Sequence, residues 1–303
     1  MLPCKRIILL CLLLHAFLCA HGLAPDTVWT IHRHGEHHHA AANEIWLSAD
    51  RPGAGTGSEV LGKGRIQWES GFELAHMQGL HLLTAPSTLF RFGLHKRAEL
   101  RLEYTGVAAF RGRDSKSAQA LSRPAYAPAP LSVGTKLLLC DHHAGKLDLT
   151  WMPRTALMLN LGLPLTPDMA KDMPVSGTID LLCEHEVTEW LSIGYDVGAH
   201  WTDWAPAPDI FASLCINFEP TDYLGLFVES YNIFDTDAVR TPANTRYTHY
   251  DLCLDFGITD AVHPRVQLDV NAGFNLYNSE PLLSSPRNLA TVGLGVTWLI
   301  WHP

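Results

Sequence analysis

Beyond its first 22 residues the chain has no apolar stretch long enough to cross a membrane as a helix. A spanning helix needs about 20 predominantly apolar residues, whereas the later apolar residues come in short or interrupted groups. Yet 47% of the residues are hydrophobic and only 17% are charged. The sequence therefore excludes a helical membrane protein and indicates that the apolar residues follow another period.

Basic side chains are also scarce. Residues 1–22 contain Lys5 and Arg6 and no acid, so the rest of the chain has 20 basic and 31 acidic side chains, a formal charge of −11. Nucleic-acid binding needs a basic face. We therefore predict that nucleic acid is not a partner.

Cysteine is sparse outside the amino terminus. Three of the seven cysteines lie within residues 1–22, and the other four are Cys140, Cys183, Cys215 and Cys253. Four cysteines in an exported protein could form two disulfides. The strand assignment below places no two of them on neighbouring strands, and a bridge needs Cα atoms within about 7 Å. We predict that they are small apolar fillers.

The amino terminus has the features of a secretory signal peptide. Lys5 and Arg6 precede an apolar run over residues 7–18, and small residues follow it. A lipoprotein anchored through Cys19 is the alternative, but Leu18 stands where a small residue is expected. We predict a signal peptide over 1–22, a His-rich lead over 23–61 and a barrel domain over 62–303.

Apolar and polar residues alternate with period two in segments of about ten residues. In residues 97–105, 249–258 and 265–276 every second residue is apolar, and those between are mostly polar or charged. This alternation predicts β-strands with one apolar face. Weaker copies complete a predicted set of twelve strands; they lie at 63–76, 82–92, 131–140, 148–161, 177–185, 190–201, 209–218, 223–231 and 289–301.

The connections between these strands alternate between short and long. The short ones are 93–96, 141–146, 186–189, 219–222 and 259–264, and the long ones include 111–130, 162–176, 232–246 and 277–288. Outer-membrane barrels have short periplasmic turns and longer outside loops. We predict an all-β, transmembrane, antiparallel up-and-down barrel of about 12 strands, inserted by the barrel-assembly machinery into the outer membrane of a Gram-negative bacterium.

Aromatic residues agree with the membrane dimension. Trp190 and Trp201 bracket one predicted strand, and eleven steps of about 3.3 Å at a tilt of about 40° rise roughly 28 Å. The apolar band of such barrels is about 25 Å tall. A soluble lipocalin-like barrel or β-sandwich is the alternative, but its apolar phase would face inward and shorter strands would suffice.

Several segments resemble the phenol-degradation (MetA-pathway) transporter family. They include SADRPGAGTGSEVLGKGRIQWESGFEL from Ser48, STLFRFGLHKRAELRLE from Ser87, LSVGTKLLL, EVTEWLSIGYDVGAHW, GLFVESYN and RVQLDVNAGFNL. The resemblance extends from about Ala49 over nearly all the remaining chain, and it is most specific in DRPG...TGS and FRFGL...AELR. It implies a membrane β-barrel that passes small molecules, hydrophobic or aromatic ones included. The preceding IHRHGEHHHAAANE has no counterpart in that pattern.

If the apolar phase faces lipid, the polar phase lines the lumen. We predict a narrow lumen, because eight strands are nearly filled by side chains and sixteen to eighteen leave an aqueous channel. Its charged lining could set selectivity as rings do in pores, or could plug the barrel as structural salt bridges. The predicted lining residues are Arg65, Glu69, Glu73, Arg91, Glu99, Arg101, Glu103, Asp196, Glu229, Asp251, Asp255, Arg265, Gln267 and Asp269.

Two segments near the amino terminus are further candidates. Residues 48–60 contain four Gly or Pro within six residues and cannot pair as a regular strand. We predict an inward-folded plug held by Asp50 and Arg51, or else a periplasmic linker. The histidines His34, His37, His38 and His39 could bind zinc, nickel or copper, or form a polar linker.

We predict a non-enzymatic barrel without a required cofactor, whose partners are membrane lipid and a small solute. One alternative is a closed structural barrel that binds a partner through its outside loops. The other is a lipid-active enzyme using Ser230 and His249. Those residues fall on neighbouring predicted strands but in opposite phases, and no G-x-S-x-G motif marks Ser230.

Overall fold

The computed structural model describes residues 47–77, 80–111, 125–141, 152–172, 174–201, 208–221, 223–240, 246–278 and 289–303. The described residues form thirteen strands and one short helix. These are β1 (Ile66–Met77), β2 (Leu80–His95), β3 (Ala98–Arg111), β4 (Ala125–Pro128), β5 (Leu131–Cys140), β6 (Arg154–Leu163), α1 (Met169–Asp172), β7 (Ser176–Thr188), β8 (Leu191–Trp201), β9 (Asp209–Phe218), β10 (Leu224–Arg240), β11 (Arg246–His263), β12 (Val266–Asn278) and β13 (Leu289–Trp301). Among the described residues, no helix has the length and the apolar character needed to cross a membrane.

Twelve of the strands close into an antiparallel barrel. Each strand pairs with its neighbours along the chain, and β1 closes the barrel by pairing with both β2 and β13, with Phe72 opposite Leu294. The short β4 pairs with residues 106–109 at the end of β3, and β5 pairs with residues 98–103 at its beginning. The predicted all-β barrel of about twelve strands is confirmed, and β4 is a strand that the alternation did not predict.

The two faces of the barrel have inverted polarity compared with a soluble protein. On β8, Tyr195 and Val197 on the outside are 36% and 51% exposed, whereas Ser192 and Asp196 on the inside are 5% and 7% exposed. The other strands repeat this, with Phe72, Ile179, Leu214 and Phe256 outside. A surface of this kind is removed from water only by lipid. The protein is therefore an outer-membrane barrel, and the soluble alternative is excluded.

Several predicted strand boundaries are wrong. The predicted loop 232–246 is largely strand, because β10 continues to Arg240 and β11 starts at Arg246, with Asp235 opposite His249. Strand ends that extend past the apolar band need no apolar face, so the period-two signal is lost there. The strand predicted over 148–161 begins only at Arg154, directly after Pro153, which has no N–H for the sheet.

None of the four cysteines in the described residues forms a disulfide. Cys183 and Cys253 are buried, and Cys140 and Cys215 are partly buried. No two lie on adjacent strands, since they fall on β5, β7, β9 and β11. The barrel is therefore held closed by strand pairing without a disulfide among these residues.

Candidate functional site: the barrel lumen

Residues 47–61, here called the inner segment, lie inside the barrel before β1 begins. Leu47 and Leu61, near its two ends, pack against Leu299 of β13, and these three side chains are 5%, 1% and 0% exposed. The segment therefore enters and leaves the lumen at one level, near the end where the turns are short. Between these two leucines it contacts both sides of the lumen.

On one side, the carboxylate of Asp50 is surrounded by three basic side chains. Lys136 Nζ donates to Asp50 Oδ1 and Oδ2 at 2.9 and 3.0 Å. Arg101 donates to Oδ2 as well, and Arg91 Nη1 lies 3.5 Å from the same oxygen. These cations come from β2, β3 and β5, so the closure of the barrel brings them together around one residue of the inner segment.

Two glutamates complete this cluster. Arg91 makes a two-pronged contact with Glu99, from Nε to Oε1 at 2.9 Å and from Nη2 to Oε2 at 2.8 Å. Glu69 Oε1 lies 3.2 Å from Arg91 Nη1, and its Oε2 accepts the Asp50 N–H at 3.1 Å. Together with Asp50, Arg101 and Lys136 the cluster contains three acids and three bases. Buried charges of this number are tolerated only when they are paired.

The surroundings of Asp50 stabilise its ionised form. Burial alone would raise the pKa of this carboxyl, but the positive charges of Arg91, Lys136 and Arg101 outweigh burial and hold its pKa well below the usual value. Asp50 is therefore a carboxylate at any pH near neutrality.

On the opposite side, acidic side chains accept backbone N–H groups of the inner segment. Glu229 on β10 accepts from Ala54 and Gly55, each at 2.7 Å, and Asp196 on β8 accepts from Thr56 at 2.8 Å. Farther along, the Ser58 hydroxyl donates to Glu184 on β7 at 3.0 Å. The segment thus bridges a basic and an acidic side of the lumen.

Two glycines allow this close approach. Gly53 has a φ of +133°, a conformation that side chains of L-residues rarely adopt. At Gly55 a Cβ would lie 2.5 to 2.8 Å from side-chain oxygens of Glu229, Ser213 and Asp196. The Gly-rich composition that prevents strand pairing is therefore what lets the backbone reach the acidic wall.

The inner segment lies between two cavities. One, of about 160 Å³, is lined by Asn217, Glu219 and Gln267, near the short turns. The other, also of about 160 Å³, is lined by Glu73, Thr84 and Asn271, farther along the strands. Arg51 and Pro52 line both cavities and lie between them. Arg51 is held by Asp269 at 3.5 Å and by the carbonyl oxygen of Leu294 at 3.4 Å.

A second cluster lines the lumen nearer the long-loop end. Asn160 donates to the Thr178 hydroxyl at 3.1 Å, Thr178 donates to Asp180 Oδ2 at 3.0 Å, and Asp180 Oδ1 lies 2.7 Å from His200 Nε2. The His200 ring stacks on Phe211 at 5.6 Å. Tyr231 lies 6.3 Å beyond Phe211, so three adjacent strands, β8 to β10, form an aromatic shelf in the lumen.

The other residues predicted to line the lumen occupy varied positions. Asp255, Gln267 and Asp269 are buried on the inner face, while Glu103 is exposed to the open lumen. Arg65 precedes β1, and Arg265 lies in the turn before β12. Asp251 belongs to β11 opposite Ile233, but its side chain lies outside the described residues. His34, His37, His38 and His39 also lie outside them.

Sequence reasoning missed Lys136, Glu184 and the cluster around Asp180 and His200. Lys136 had a signal, since it is the one charged residue in LSVGTKLLLC. The period-two alternation of this segment is weak, because apolar residues occupy both phases at 137–139. Asp180 and His200 come from β7 and β8, and nothing in either segment alone shows that their side chains meet.

Comparison with known proteins identifies the fold. No family model and no curated protein sequence matches this chain. An outer-membrane channel from Pseudomonas putida F1 superimposes with a TM-score of 0.57 at 12% identity, covering 82% of this chain and 98% of that one. The NanC porin superimposes with a TM-score of 0.51 at 7% identity, covering 76% and 98%. The fold is that of outer-membrane channels, and the resemblance to the phenol-degradation transporters remains a prediction.

The strand register separates the residues of the enzymatic alternative. Ser230 pairs with Leu254, and His249 pairs with Asp235, five residues farther along β10. Five residues of strand span about 16 Å. A nucleophile and its base need hydrogen-bond contact, so this pair does not form a catalytic dyad.

Proposed function

We propose that the protein is an outer-membrane channel for small solutes, narrowed by the inner segment, and that passage requires this segment to move. One observation carries the proposal: Arg51 and Pro52 of the inner segment separate two cavities that otherwise lie along the same lumen. The fold shared with outer-membrane channels supports it. In this proposal Asp50 and Arg51 hold the plug, and the polar wall residues form the path.

The contacts of the inner segment suit reversible docking. It is held by hydrogen bonds and ion pairs to the wall and by the small cluster of Leu47, Leu61 and Leu299. Water and solute can replace polar contacts of this kind one at a time. The narrow lumen of a twelve-stranded barrel then limits the solute to a small molecule.

The chemical nature of the solute is a finer part of the proposal. The family resemblance favours an aromatic or hydrophobic solute, and the shelf of His200, Phe211 and Tyr231 supports this because a flat ring can stack on it. The shelf lies two residues beyond Ser213 and Glu229, which border the inner segment. A solute arriving from the long-loop end would meet the shelf first.

A closed structural barrel is the second candidate, and the balanced buried cluster favours it. The three acids and three bases in the cluster around Asp50 neutralise one another, as structural salt bridges would. In that case the outside loops would carry the function. A permeation experiment separates the two candidates.

The experiment is swelling of liposomes that contain the refolded protein. We expect arabinose to enter measurably faster than raffinose, because a narrow lumen discriminates by size. Liposomes with heat-unfolded protein are the control. Rates equal to this control for both sugars, in the wild type and in the variant Asp50→Ala/Glu229→Ala, would refute the channel and favour the closed barrel.

A further inference from the structure

We propose that Arg91, Arg101 and Lys136 form a binding site for the carboxylate group of small organic anions, and that Asp50 occupies this site when the inner segment is docked. The inference deepens the proposed function, since it relies on that function only for the route by which an anion arrives. The inner segment then acts as a ligand tethered to its own channel.

The geometry around Asp50 is that of a carboxylate held at both oxygens. Lys136 Nζ donates to both within 3.0 Å, and the guanidinium groups of Arg101 and Arg91 approach Oδ2. Charge-assisted hydrogen bonds of this type are the strong ones. The hydrogen bonds that Lys136 and Arg101 donate to Asp50 go to its carboxylate oxygens, so the carboxylate of a free molecule can make the same contacts.

The charge balance shows why the site needs an anion. With Asp50 present, three basic side chains face Asp50, Glu69 and Glu99. Without Asp50, the wall retains three positive charges against two negative ones. With the inner segment in place, Arg91 and Lys136 are 0% exposed and Arg101 is 8% exposed, so the charge that Asp50→Ala leaves unpaired there is poorly hydrated. A buried charge without a partner is costly, and an anion from solution removes that cost.

The site keeps its shape when the inner segment leaves. Arg91 is oriented by its two bonds to Glu99 and by Glu69, and Arg101 Nη1 donates to Glu99 Oε1 at 2.9 Å. All of these partners belong to β1, β2 and β3. Arg91 also donates to the carbonyl oxygens of Ser48 and Glu59 in the inner segment, but its bonds to Glu99 and Glu69 remain when the segment leaves. Lys136 differs, because its hydrogen bonds go to Asp50 and to the carbonyl oxygens of Gly57 and Glu59, all in the inner segment. Lys136 is therefore the side chain that an arriving carboxylate would engage most readily.

The test uses the variant Asp50→Ala, which removes the tethered carboxylate and leaves space for a small one. Acetate is the probe, acetamide is its neutral isostere, and sodium chloride provides equal ionic strength. We expect 50 mM acetate to raise the unfolding midpoint of the refolded variant by about 2–4 °C. This shift corresponds to an acetate concentration about tenfold above the dissociation constant. Acetamide should give no shift, and the wild type should not respond to acetate because Asp50 fills the site.

The control variant is Asp50→Ala/Lys136→Gln, which should lose the acetate response. If Asp50→Ala does not refold, Asp50→Ser replaces it, since its hydroxyl can accept from Lys136 in the emptied site. Equal responses of wild type and variant to acetate, or a response retained without Lys136, would overturn the inference.

The liposome assay distinguishes this inference from the proposed function. Acetate stabilisation in a barrel that passes no solute would support the carboxylate site and overturn the channel. Solute passage without acetate stabilisation would support the channel and overturn the site.

Discussion

Replacing Val270 by arginine should strongly impair membrane insertion, whereas replacing Val266 should be tolerated. Both residues lie on the outer face of β12, where Val270 pairs with Ile258 and Leu294. The outward residues along β12 run from Val266 to Leu276. Successive outward residues, two positions apart, are separated by about 5 Å along the membrane normal. Val266 thus lies near one edge of the apolar band of about 25 Å, and Val270 lies near its middle.

The magnitude follows from this depth. A basic residue on the lipid face costs about 2–4 kcal/mol at the midplane and about 0–1 kcal/mol near the interfaces. We expect Val270→Arg to lower the free energy of unfolding by the larger amount and Val266→Arg by the smaller. The assay is a urea titration of the protein folded into liposomes, with the heat-modifiable gel shift as the measure of folding.

An inward substitution on the same strand is the matched control. Asp269 is 2% exposed on the inner face and contacts Arg51. Asp269→Asn removes a charge without placing one in lipid, so the variant should still insert. Equal losses at Val270 and Val266, or a loss at Asp269 as large as that at Val270, would refute the assignment of faces and depth.

Three further predictions concern the inner segment. Lys136→Gln removes the cation that contacts both oxygens of Asp50. Because breaking a buried ion pair costs about 3–5 kcal/mol, amide hydrogen exchange in residues 48–60 should increase strongly. Unchanged exchange would contradict this. Gly55→Val places side-chain atoms where Glu229, Ser213 and Asp196 already lie, so the inner segment should leave the lumen and be cut by an added protease. Gly57→Val is the control, because a Cβ at Gly57 would lie near only Asp50 Oδ1, at 3.7 Å. The inner segment of this variant should be more resistant to the protease. The lowered pKa of Asp50 contributes stability that is complete above the ordinary carboxyl pKa and declines as the pH falls towards the lowered value. The carboxyl ¹³C chemical shift of Asp50 should therefore stay constant from pH 7 to about 3, where an ordinary aspartate is mostly protonated. A titration step within that window would refute the assignment of Asp50.

The barrel could be predicted from sequence because its main signal is local. On β12 and β3 each strand must present an apolar face to lipid and a polar face to the lumen, and this requirement is visible within ten residues. The same signal fails where a strand leaves the membrane, as at the far ends of β10 and β11. It also failed for β6, where Pro153 rather than the alternation sets the first residue.

The lumen was harder to predict because its contacts join distant residues. The pattern of 48–60 indicated that this segment cannot pair as a strand, but it left a plug and a linker equally open. The contacts of Asp50 with Arg101 and Lys136 join residues 51 and 86 positions apart. They depend on which strands become neighbours after closure and on the level at which the segment crosses the lumen.

Single-channel conductance in a planar bilayer tests the central claim most directly. The wild type is compared with Asp50→Ala/Glu229→Ala, which removes the carboxylate at the basic wall and the acceptor of two inner-segment N–H groups. Glu103→Ala/Asp255→Ala is the matched control, because it removes two lumen carboxylates that accept no hydrogen bond from the inner segment among the described residues. We predict a larger conductance or longer openings in the first variant than in the wild type and the control. An equal conductance in all three proteins would contradict a channel restricted by the inner segment.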